Sequence, residues 1–351
     1  MPVDLLATTA AALAAHANGW FGVEKGAGVA AKVHRAAVLT GEFDPEAMGL
    51  GHAASARWRS EATLALPQVT AERREPADHG DVVKRLLQFA DGAAVESVAL
   101  PMGHGRLSLC VSTQVGCARA CTFCETGRLG LVRNLTAGEI TAQVTLQCRE
   151  RRPDSIVFMG MGEPLDNLPG LLEALAVLTD RNGLGYAQER LTICTVGHVP
   201  GIAALRALGW KRLGLALSLN SADEARRAEL MPNSVRYPLA EIQAALVAFR
   251  QRKNLALGVH WCLLPGVNDG ERDAAQLAEF VRPLGRTFVH VIPYNPGTAP
   301  IARAPSEDEI VQWVARLRAH GLAVRRRITK GRSVMAACGQ LGAARPPGVT
   351  S

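Results

Sequence analysis

No uninterrupted apolar run in this 351-residue chain approaches the roughly 20 residues that a membrane span needs, so a soluble protein with no membrane partner is expected. The first ten residues are rich in alanine, but they carry Asp4 and no basic leader; a helix is expected there and not an export signal. No internal repeat and no low-complexity linker breaks the chain. Its eight cysteines are unevenly spaced over a long sequence, which argues against the disulfide framework of a small secreted domain. A reducing compartment, the cytoplasm, is expected.

What is present is enough for a substantial core. Apolar residues make up 48% of the chain, and its length suits one large α/β domain with a smaller appendage. The net charge of +7 is spread over many segments and suits an anionic partner such as RNA without singling one out.

Residues 1–80 read as helices and loops without a catalytic signature, a helical accessory domain suited to RNA binding. Two β-prone runs then flank Asp91-Gly92, a turn signal that predicts a β-hairpin linker over 81–106. From 107 to 341 strands and helices alternate. Strands are predicted at 107–112, 155–159, 191–195, 213–219, 257–263 and 288–292. Amphipathic helices fall at 138–149, 239–250, 274–281 and 308–320, and Thr136-x-x-Glu139 and Ser306-x-x-Glu309 carry capping-box signatures. Six strands alternating with helices imply an α/β fold, a parallel sheet closed or partly closed into a (β/α)6 barrel. Such a barrel carries its site on the loops after the strands' C-terminal ends. The tail, 342–351, is short, terminal and rich in Pro and Gly, and is expected to be disordered.

The most informative stretch follows the first of those strands: Cys117, Cys121 and Cys124, spaced C-x3-C-x2-C, with Phe123 before the last. Three thiolates on one short loop can hold three irons of a [4Fe-4S] cluster. No fourth ligand follows at close range, which leaves one iron open for an exogenous ligand. A structural zinc site would want four ligands, commonly in two pairs. The pattern resembles the radical S-adenosylmethionine (SAM) superfamily, in which the open iron chelates the amino and carboxylate groups of SAM.

Later loops suit a SAM pocket. After the second strand comes Met159-Gly-Met-Gly162-Glu163, where a glycine backbone lets a ligand approach closely and a carboxylate can accept from an ammonium. Ser218-Leu219-Asn220 and Asn295 likewise put small polar groups just past apolar strands. Each alone is a common strand-to-loop transition; in this order behind the cysteine motif they outline a pocket.

The segments Cys110–Cys117, Cys124–Gly127, Arg133–Ile140, Met159–Leu165, Leu230–Pro232, Leu264–Asp269 and Ala336–Leu341 together resemble the RlmN/Cfr family of radical SAM adenosine methyltransferases acting on RNA. The likeness runs from about Lys84 to Leu341. It implies methylation of carbon 2 or carbon 8 of an adenosine in rRNA or tRNA, one [4Fe-4S] cluster, two SAM molecules per turnover and an electron donor such as flavodoxin or ferredoxin. It implies that Cys338 carries the methyl group, that Cys110 releases the product through a transient disulfide, and that Glu96 removes the ring proton. It also places Cys194 near SAM, where the family typically has a serine, and Asn220 where the family has a histidine. Arg332, Ser333 and Met335 stand where the family usually carries acidic residues, a departure that bears on the choice of RNA.

Cys110 and Cys338, over 200 residues apart, are no local motif, and only a closed barrel is expected to bring them together. Cys148, in a helical pattern, and Cys262, within a strand, read as core residues. Residues 325–332 hold five cations in eight positions and are either a phosphate-binding strip or a charged strand edge. A monomer is expected. Two rivals remain: the same two-cysteine chemistry on another substrate, and a non-catalytic RNA-binding protein stabilised by a metal.

Overall fold

Gly92, at φ 83°, donates its N–H to the Phe89 carbonyl at 2.9 Å and turns one β-prone run back on the next, which starts the central sheet. The structure, a computed structural model, describes residues 2–22, 27–234 and 236–342. Among these, ten strands form one sheet whose spatial order repeats their order in the chain. They are β1 (Gln68–Glu75), β2 (Val82–Gln88), β3 (Ala94–Met102), β4 (Arg106–Cys110) and β5 (Ser155–Phe158). The sheet continues with β6 (Leu191–Thr195), β7 (Gly214–Ser218), β8 (Leu257–Leu263), β9 (Thr287–Pro293) and β10 (Val324–Arg326). Pairing is antiparallel from β1 to β4 and parallel from β4 to β10. The parallel part is the expected partial barrel, extended by the short strand β10.

Alternation decides which side chains point where. In β8, Val259, Trp261 and Leu263 are fully buried toward the surrounding helices, whereas His260 and Cys262 turn to the other face, the barrel interior. Each Val, Leu, Ile or Phe so buried contributes about 1.5–3 kcal/mol. The helices that cover the sheet start where polar caps allow. Thr136 and Ser306 each accept from a backbone N–H three residues on, and Glu139 and Glu309 return the bond.

Two expectations are corrected. Residues 68–75, placed within the helical segment, form β1; its Gln-Val-Thr-Ala-Glu-Arg-Arg-Glu sequence has no buried face and is held by backbone pairing to β2. The hairpin of 81–106 is no separate linker, because β3 pairs with β4 and the sheet runs on unbroken.

The N-terminal helices α1 (Ala10–Phe21), α2 (Ala27–Thr40) and α3 (His52–Glu61) have their own core around Trp58. They dock on the helix Ala137–Glu150, where Thr145 donates to the Val38 carbonyl at 2.9 Å and Arg149 to that of Thr40 at 2.9 Å. No helix among the described residues is long and apolar enough to cross a membrane. The expected disordered tail, beyond Gly342, lies outside the described residues.

Candidate active site

The loop after β4 is fixed at both ends. Cys117 donates its N–H to the Gly130 carbonyl at 2.9 Å, and Glu125 donates to the Gly339 carbonyl at 2.8 Å. Between them Thr122 donates to the Leu230 carbonyl at 3.0 Å. The short helix Glu125–Arg128 sits directly on this loop because residue 127 is glycine: a Cβ there would lie 2.8 Å from the Cys121 nitrogen.

Cys117, Cys121 and Cys124 all line one cavity at the C-terminal ends of the strands. They converge on no point where a single metal ion would take three ligands. Three thiols from one short loop around a shared space fit an iron–sulfur cluster held at three corners, with the fourth left open. Burial pushes the Cys117 thiol up to about 12, and it raises Cys121 and Cys124 as well. Binding iron therefore has to expel three protons, as metal loading of thiols does.

Across the cavity Glu163 is 3% exposed. Its carboxylate accepts from the Val196 and Leu165 N–H groups at 2.9 and 3.1 Å, and burial pushes it up to about 7. Gly162, at φ 100°, makes room for Gln114, whose side chain a Cβ there would meet at 2.6 Å and whose Oε1 accepts from the Glu163 N–H at 2.8 Å. Ser218 and Cys194 stand next to each other on the wall, 3.7 Å apart.

Two further residues expected at the pocket do not line the cavity. Leu219 is fully buried in the hydrophobic core, whereas its neighbours Ser218 and Asn220 line the cavity. Asn295 stands behind Cys338, donating to its carbonyl at 3.2 Å and accepting from Arg332. Asn220, at φ 59°, lines the cavity but spends its side-chain oxygen on the Cys262 N–H at 2.9 Å.

Cys338 is exposed at the cavity, beside the cluster loop that Gly339 touches through Glu125, and Cys110 is buried at the end of β4. Burial, followed by the neighbouring Cys338, raises the Cys110 thiol, whereas Arg327 draws it down. Both thiols are free. Glu96 is 1% exposed, paired with Lys84 at 2.8 Å, and accepts from the Gly342 N–H at 2.9 Å. It lies beside a second cavity, which Lys84, Met335 and Gln340 also line, on the far side of the Cys338 segment.

The radical SAM superfamily profile matches residues 111–278. A dual-specificity RNA methyltransferase RlmN of Syntrophotalea carbinolica is 40% identical over 277 residues, covering 79% of this chain and 73% of that protein. A probable RNA methyltransferase of Sorangium cellulosum is 42% identical over 304 residues, 84% of this chain and 74% of that protein. The crystal structure of a radical SAM methyltransferase from Sphaerobacter thermophilus superposes with a TM-score of 0.87 at 34% identity, covering 97% of this chain and 99% of that one. The chain belongs to the RlmN family. It is an S-adenosylmethionine-dependent radical methyltransferase, and membership implies a [4Fe-4S] cluster and SAM.

Within this family member, sequence reasoning overlooked His260. Its Nδ1 is 3.1 Å from the Cys194 sulfur, and its Nε2 faces Arg327 at 3.3 Å. An arginine can only donate, so Nε2 accepts and the ring proton sits on Nδ1, directed at Cys194. Burial, then Arg327 and His290, hold His260 well below 6.5, and it is neutral. The signal was present in β8, where His260 and Cys262 share one strand face. Cys262, taken for a core residue, in fact lines the cavity.

The basic stretch is not a free cationic strip. Arg325 stacks on Phe288 at 3.7 Å, Arg326 pairs with Glu307, Arg327 faces His260, Lys330 donates to the Pro101 carbonyl and Arg332 to Asn295.

Proposed function

We propose that this enzyme methylates carbon 2 or carbon 8 of an adenosine in rRNA or tRNA, by way of a methyl group carried on Cys338. The placement of an exposed Cys338 at the cavity, with the free thiol of Cys110 buried nearby, carries this reading. Those ring carbons are electrophilic and have no lone pair, so direct attack on a sulfonium methyl cannot reach them. When bound, the cluster and SAM supply a 5′-deoxyadenosyl radical, and a further SAM supplies the methyl group.

Cys117, Cys121 and Cys124 would hold the cluster. Glu163, ionised, would accept from the SAM ammonium; Ser218, Cys194 and the Asn220 backbone would line the rest of the ligand, with Gly162 beside them. The methyl on the Cys338 sulfur loses a hydrogen atom and its carbon bonds to the adenine ring. Glu96 would take the ring proton, and the electron given up with it would pass to the oxidised cluster held by Cys117, Cys121 and Cys124. The Cys110 thiolate then attacks the Cys338 sulfur; the S–C bond breaks, its electron pair stays with the carbon, and a proton completes the methyl group. A disulfide remains, and a cellular reductant resets it. A flavodoxin or ferredoxin would supply the electron that starts each turnover.

Cys110→Ala stops this sequence after the ring is joined. Intact-mass analysis of that variant, purified anaerobically from cells before and after nuclease treatment, is expected to find an RNA fragment on Cys338. Sequencing the fragment names the substrate. Unmodified protein with its cluster intact, or normal turnover, would refute the two-cysteine route.

A further inference from the structure

Each strand of the antiparallel extension sends one charged side chain to the segment that carries Cys338. From β1, Glu75 Oε1 accepts from the Gly331 N–H at 2.7 Å, and Oε2 accepts from the Ser333 N–H at 2.7 Å and from the Ser333 hydroxyl. From β2, Lys84 donates to the Met335 carbonyl at 3.0 Å. From β3, Glu96 accepts from Gly342. Glu75 is the one residue of β1 that is not exposed.

The geometry at 331–336 makes this grip consequential. Gly331, at φ 75°, forms a tight turn whose carbonyl accepts from the Ala336 N–H at 2.7 Å. A Cβ at 331 would lie 2.7 Å from that of Ala336, so the turn has no slack. Cys338 follows two residues later. On the opposite side Arg332 donates to Asn295 Oδ1 at 3.0 Å, and Asn295 donates to the Cys338 carbonyl. The turn is therefore held from both flanks. Glu75 contributes three of these bonds, all to a charged acceptor, the stronger kind.

We propose that Glu75 is a positioning residue: its carboxylate clasps residues 331–333 and sets the reach of Cys338 over the cavity. Ser333 makes the clasp possible. A carboxylate at 333 would confront Glu75 with a like charge and supply no hydroxyl donor. The inference rests on the assignment of Cys338 as the methyl carrier.

Hydrogen–deuterium exchange on the full-length, cluster-reconstituted protein tests the clasp without recourse to activity. In Glu75→Ala and in Ser333→Asp, peptides spanning 331–338 are expected to exchange roughly tenfold faster or more, with β2 and β3 unchanged. Glu75→Gln, which keeps one acceptor oxygen, falls between. RNA methylation should drop in kcat in the same order, with SAM affinity unmoved. Wild-type exchange rates in both Glu75→Ala and Ser333→Asp would overturn the clasp, and Ser333→Asp lies outside the sheet, so misfolding of β1 cannot imitate the result. Faster exchange with undiminished kcat would overturn the positioning role. An active wild type whose Cys338 never carries a methyl group would instead overturn the assignment of Cys338, leaving the exchange data to speak for the clasp alone.

Discussion

Lys84 and Glu96 form a 2.8 Å ion pair with side chains 9% and 1% exposed, and each also grips the Cys338 segment, Lys84 at Met335 and Glu96 at Gly342. The proposed base and the proposed methyl carrier are thereby tied into one unit. Lys84→Met leaves a buried carboxylate uncompensated, at a cost of about 3–5 kcal/mol. Thermal or denaturant unfolding should register that loss. The double variant Lys84→Met with Glu96→Gln should recover most of the stability and none of the RNA methylation. Recovery of both would remove Glu96 from the chemistry.

Glu163 makes stability fall with rising pH. Its folded value is raised from 4.5 to about 7, chiefly by burial, so the folded state binds more protons than the unfolded one between those limits. Stabilisation is complete below 4.5 and is lost as pH rises through about 7, a swing of roughly 3 kcal/mol. Denaturant titrations of the cluster-free protein across this range should show that slope, and Glu163→Gln should flatten it. An unchanged slope in the variant would assign the effect elsewhere.

His260 directs its Nδ1 proton at Cys194, so a hydroxyl can replace the thiol. Cys194→Ser is expected to keep SAM affinity within about threefold in equilibrium binding to the reconstituted protein. His260→Ala removes the donor and leaves Arg327 without its partner, and about tenfold weaker SAM binding should follow. If Cys194→Ser were the more damaging change, the thiol itself would be what SAM needs.

Gly127→Ala tests the seat of the cluster loop. The new Cβ meets the Cys121 backbone at 2.8 Å, and backbone cannot swing aside as a side chain can. Iron and sulfide content after reconstitution should fall below wild type, while the cluster-free fold melts within about 1–2 kcal/mol of it. Full cluster occupancy would show that the loop has room to shift.

The barrel strands were legible because apolar runs of strand length alternate with helical periods, and the helix starts at Thr136 and Ser306 because their caps are local in sequence. β1 was not legible: a strand that buries no face leaves no period-two signal, and its partner β2 is what defines it. β10 is three residues long within a cationic run, so charge concealed it. At the site, the cysteine loop and Glu163 announced themselves by spacing. Leu219 was misplaced although strand alternation between Ser218 and Asn220 points it into the core. The engagement of Arg325, Arg326 and Arg327 with Phe288, Glu307 and His260 joins distant segments, and no local pattern carries it.

The sheet's spatial order, which repeats the order of its strands in the chain, bears on how the enzyme is made. Each strand can add to an edge formed by strands that precede it in the chain, so no finished pair has to part to admit a latecomer. The cysteine loop comes early and is walled in by strands that follow it. Cys338 lies beyond the last strand, so every wall of the chamber it completes comes from sequence that precedes it.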